Sequence, residues 1–101
     1  MDPNYKPLYQ RVDDLRFRAH DAFDQPDHPT AHLLKRELES LKDDIESNKS
    51  PRTVEDRIKT IQHQLLQAKS QQHGVMSYQH ADDLHDHFEH MRMDLRKFHN
   101  Y

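Results

Sequence analysis

The chain has 101 residues, a formal charge of -3 with histidines neutral, no cysteine and one glycine. Hydrophobic and charged residues each make up 33%, and the mean hydropathy of -1.23 is polar for a globular domain, where about half the residues are ordinarily apolar. This composition excludes disulfides, thiolate metal sites and cysteine nucleophiles, excludes glycine-rich phosphate and dinucleotide loops, and supplies no net pull toward nucleic acid.

So polar a chain is either disordered or a slim helical bundle with much wet surface. Periodicity favours the bundle. From the N-terminus, Tyr5, Leu8, Val12, Leu15, Ala19 and Ala22 recur at alternating steps of three and four, which places them on one stripe of an α-helix near residues 5–24. Two residues depart from that stripe. Tyr9 falls on its flank, and Phe17 falls opposite it, between Arg16 and Arg18. An exposed aromatic side chain flanked by arginines has the composition of a binding anchor.

The Gln25-Pro26-Asp27-His28-Pro29 stretch breaks the pattern. A second stripe follows, Ala31, Leu34, Leu38, Leu41 and Ile45, which predicts a helix near 29–48 with Pro29 in its first turn, where a missing N–H costs nothing. Leu33 falls nearly opposite that stripe. Lys35 and Arg36 sit on this helix, but Asp43, Asp44 and Glu46 make its end acidic.

Val54, Ile58, Ile61, Leu65 and Ala68 predict a third helix near 51–73. Ser50 precedes Pro51 and is placed to cap it, with Thr53 as the alternative. Leu66 lies on a flank. Gly74 sits where a helix end favours a left-handed residue.

The fourth helix is predicted near 77–100, on the stripe Ala81, Leu84, Phe88, Met91, Leu95 and Phe98. Ser77 is its expected N-cap, with Met76 packing back onto Ala81. Met93 falls opposite the stripe. No segment alternates with period two over strand length, so no sheet is expected. Short connections make successive helices antiparallel neighbours. The predicted fold is an all-α, up-down-up-down four-helix bundle. The alternative is a set of helical hairpins that complete their core by dimerising.

Five of the ten histidines lie after residue 79, interleaved with carboxylates. They spread around the fourth helix, and only His80 and His87 flank its stripe, in line with Asp94. A divalent transition metal on His80, His87 and Asp94, or a pH response through imidazole protonation, is the alternative function. The stronger signatures are missing. There is no H-E-x-x-H, and no glutamate is followed three residues later by histidine, so the di-iron carboxylate pattern fails.

The adjacent pairs Asp43-Asp44 and Asp82-Asp83 point about 100° apart on a helix and do not form a glycosidase-type pair. No enzymatic activity and no cofactor are expected. Nucleic-acid binding is not expected either, because basic and acidic residues mix on every helix. No apolar run is long enough to span a bilayer, and the opening Met1-Asp2-Pro3-Asn4 has no signal-peptide pattern, so the expected setting is the cytoplasm. The expected function is a non-enzymatic interaction or adaptor module that presents a rigid helical surface to a protein partner or a second copy. Phe17, Tyr9, Leu33 and Met93 are its candidate anchors.

Overall fold

The computed structural model describes residues 3–70 and 75–99. Expectations for Gly74, for the end of the third helix beyond residue 70, and for the side chain of Phe98 lie outside these described residues. A short 3-10 turn, Pro3–Tyr5, leads into α1 (Lys6–Ala22), followed by α2 (Pro29–Glu46), α3 (Pro51–Ser70) and α4 (Tyr78–His99). Successive helices pack against one another, and α4 closes the bundle by touching α1 at fewer points. The fold is an all-α helical bundle, 40 × 19 × 18 Å in extent.

The four apolar stripes meet inside it. Val12, Leu15, Leu34, Leu41, Ile45, Ile58, Ile61, Leu65, Phe88, Met91 and Leu95 are fully buried in one core cluster. A single chain therefore buries its own stripes, and dimerisation is not needed to cover them. Fully burying one such side chain contributes roughly 1.5–3 kcal/mol, so the stripes dominate folding.

Both ends of the bundle are closed by contacts between loops. At one end Phe23 leaves the helix with extended backbone and forms an isolated antiparallel bridge with Met76. The N–H groups of Asp24 and Gln25 donate to the Val75 carbonyl at 2.9 and 3.4 Å. Phe23, Val75 and Met76 are buried with the core, so α1 stops two residues before its predicted end because Phe23 roofs the bundle. At the other end the Tyr5 hydroxyl donates to the Lys49 carbonyl at 2.7 Å and pins the α2–α3 turn to the start of α1.

The predicted caps at α3 and α4 form. Ser50 Oγ accepts from the Thr53 N–H at 3.2 Å, and Ser77 Oγ accepts from the His80 N–H at 3.2 Å. The cap of α2 is a less familiar one: His28 Nδ1 accepts from the Thr30 N–H at 3.1 Å, which requires that nitrogen to be unprotonated.

Helix α2 ends earlier than its predicted limit, at Glu46, in a Schellman motif. The Lys49 N–H donates to the Asp44 carbonyl at 2.9 Å and the Asn48 N–H to the Ile45 carbonyl at 3.1 Å, with Asn48 left-handed at φ 56°. That conformation costs a residue with a Cβ about 1 kcal/mol and glycine nothing. Asn48→Gly is therefore expected to raise stability by up to about 1 kcal/mol and the melting midpoint by roughly 4–8 °C, whereas Asn48→Val lowers both. A thermal melt in which Asn48→Gly lies below wild type would contradict this account of the α2 terminus.

Candidate functional site

The seam between α1 and α2 is a ladder of side chains. Moving along α1 by three or four residues and back along α2 by the same step gives successive rungs. At the first, the Tyr9 hydroxyl donates to Glu46 Oε1 at 2.7 Å. At the second, Lys42 Nζ lies 3.8 Å from Asp13 Oδ1 and 5.5 Å from the centre of the Tyr9 ring. At the third, Arg16 pairs with Glu39 and also with Asp13 at 3.0 Å. The bond to Glu46 raises the Tyr9 phenol above its ordinary range, and the Tyr9 hydroxyl raises Lys42. Tyr9 is thus partly buried, packed against the core and committed to this seam, so it presents little free surface.

Beyond the third rung lies a groove of about 230 Å3 lined by Arg16, Phe17, His20, Lys35, Leu38 and Glu39. Leu38 is buried and lines it, while Phe17 keeps 68% of its surface exposed. Of the sequence-predicted anchors, Phe17 lines this groove. Leu33 (48% exposed) and Met93 (60% exposed) stand exposed as expected, but on α2 and α4 and outside this groove. Leu66 and Tyr78 are exposed as well; Tyr78 escapes the stripe argument because it opens α4, before the stripe begins.

The histidine flank comes apart further. Asp94 Oδ2 is taken by Arg11 at 3.2 Å. His87 Nε2 lies 3.3 Å from Arg18 Nη1 and 3.7 Å from Asp83 Oδ2. His80 lines a separate α1–α4 cleft of about 260 Å3 with Arg18, Asp21, Ala22, Asp83 and Leu84. Among the described residues no three His, Asp or Glu side chains are grouped to hold a metal ion. His80, His87 and Asp94 therefore share a flank but not a centre, with arginines between them.

The polar groups best hidden from water lie on α3 and its neighbours. Glu55, 4% exposed, accepts from Arg96 at 2.8 Å and Arg92 at 3.4 Å. Gln62, 5% exposed, donates to Glu89 Oε2 at 2.9 Å and accepts from Arg92 at 3.3 Å. Across the α2 seam, Arg57 holds Glu37 at 2.8 Å and Asp44 at 3.0 Å, and Glu37 followed by Asp44 raises its guanidinium further. Every charged member has an opposite partner, and none borders the groove or the cleft. These residues clamp the helices to one another.

No family model, no curated protein and no solved structure matches the chain. Sequence reasoning found Phe17 but missed His20, Lys35 and Leu38 as its groove partners. No single helix pattern could supply them, because they depend on the register of α1 against α2.

Two measurements check the α3–α4 clamp. Glu55→Ala leaves two arginines without their buried acceptor and is expected to cost about 2 kcal/mol, reduced from a fully buried case because Arg96 can turn to solvent; an unchanged denaturant midpoint would show that the clamp contributes nothing. The second is pH-dependent. The Gln62 amide, aided by Arg92, holds the Glu89 carboxyl below its ordinary value of 4.5. Folding lowers this pKa, so the contribution is present above 4.5 and is lost as pH falls through the folded-state value. Wild type is expected to lose more stability than Glu89→Gln between about pH 6 and about pH 3, as followed by urea denaturation, and parallel profiles would refute it.

Proposed function

We propose that the chain is a non-enzymatic interaction module that presents a rigid helical surface to another protein. The supporting observation is Phe17: an aromatic side chain 68% exposed, lining a groove together with the buried Leu38, on a helix held at both ends by loop contacts. Rigid aromatic side chains bordering a concavity lose little conformational entropy on binding and bury a large area, which is why they dominate interface energetics. Leu33 and Met93 are peripheral contacts in this reading, and Tyr9 acts by fixing the groove's walls. The histidines form parts of wet faces and one cap. The reading invokes no cofactor and carries with it the cytoplasmic setting expected from the sequence. No helix among the described residues is long and apolar enough to cross a membrane.

Because Phe17 is exposed, Phe17→Ala is expected to leave the folding stability within about 0.5 kcal/mol of wild type while removing the principal contact. Light scattering of the isolated chain and quantitative co-purification from its native cell, each with wild type and Phe17→Ala, form the test. The expected result is a stoichiometric complex or oligomer lost in the variant. A wild type that stays monomeric and recovers the same proteins as Phe17→Ala sinks the reading.

A further inference from the structure

The α1–α2 ladder has a fourth rung that is chemically unlike the first three. Tyr9–Glu46, Lys42–Asp13 and Arg16–Glu39 each set a carboxylate against a donor. The next step along both helices brings His20 on α1 and Lys35 on α2 to the same groove, which both line. This rung holds two basic groups and no acid. Among the described residues neither makes an ion pair with a carboxylate. Lys35 Nζ donates only to the Pro26 carbonyl at 3.3 Å and sits 5.4 Å from the centre of the Phe23 ring. The groove's one carboxylate, Glu39, is already matched by Arg16. The groove therefore ends in two basic side chains that no carboxylate among the described residues pairs with, beside the buried Leu38 and the exposed Phe17.

We infer that the occupant of this groove is an acidic segment of a partner protein, with a carboxylate beside a large apolar side chain. The carboxylate completes the fourth rung by accepting from Lys35 and His20. The apolar side chain lies against Phe17 and Leu38. A complementary charge on the partner fixes register and speeds encounter, while the aromatic contact supplies most of the affinity. This inference rests on the interaction reading above and adds the chemistry of the partner to it.

The test selects binders from a displayed library of short random peptides on the full-length chain, then measures the enriched peptides by fluorescence anisotropy. The expected peptides carry Asp or Glu next to Leu, Phe, Ile or Trp, and their binding weakens with added salt. Lys35→Glu and Phe17→Ala, each checked for an unchanged melt, weaken it at least about tenfold; Lys35→Arg retains it. Selection on Lys35→Glu enriches basic residues instead.

Peptides that need Phe17 but show no acidic preference and tolerate Lys35→Glu overturn the partner's chemistry while leaving the interaction reading intact. Binding indifferent to both substitutions, or no enrichment at all, overturns both. A wild-type dimer that Phe17→Ala dissociates assigns the groove to a second copy and overturns the acidic-peptide inference.

Discussion

Each helix carries a single stripe of apolar residues, and nearly everything else follows from that limit. With so polar a composition, a helix can bury one side only, and the four such sides meet around a common axis, leaving scattered apolar residues such as Phe17, Leu33 and Met93 outside. The core fixes that the helices pack. It says little about which neighbours they choose or in what register, because stripes of Leu, Ile, Val and Ala at the same spacing interlock in several ways. The seams carry that choice.

The seams are polar, and their energetics suit selection better than stability. An exposed ion pair contributes about 0–1 kcal/mol, and a buried one often breaks even against an apolar substitute. Arg57 between Glu37 and Asp44, Glu55 between Arg92 and Arg96, and the three-rung ladder of α1 and α2 add little together compared with the core. A different packing order, however, strands Glu55 or Asp44 in the interior without a cation, at a cost of several kcal/mol. Helix α3 is the hub of this scheme, joined by charge to α2 on one side and α4 on the other. Helix α1 joins α2 through the ladder and α4 through Arg11–Asp94, and its ends are tied as well: Tyr5 to Lys49, and Phe23 to the Val75–Met76 segment.

That division explains what could be read from the sequence. The stripes were legible because helical geometry maps spacing onto a face without reference to any other part of the chain, and Ser50 and Ser77 were legible because a cap acts within one turn. Phe17, Leu33 and Met93 were recognisable as outward for the same reason as the stripes. What escaped prediction depends on residues distant in sequence. Phe23 and Val75 lie in connections, where polarity and exposure are the usual expectation, yet they are buried because two loops meet at one end of the bundle. Asp44, Glu55 and Gln62 look like surface residues until the arginines or glutamate that receive them are located on other helices. His28 escaped because imidazole is an uncommon cap.

The histidines show the same principle from the opposite direction. Their density in the last helix suggests a common purpose, but a helix separates neighbours in sequence by about 100° per residue, and convergence has to come from a second helix. Where α1 faces them it offers Arg11 and Arg18, which occupy Asp94 and approach His87. A guanidinium in that position is unfavourable for a metal cation and suited to a carboxylate or a neutral imidazole nitrogen. The α1–α4 flank thus resembles the other seams in kind: basic groups from one helix meeting acceptors from the next. The α1–α2 groove differs from all of them in one respect, because at His20 and Lys35 the alternation of donor and acceptor stops before the helices do.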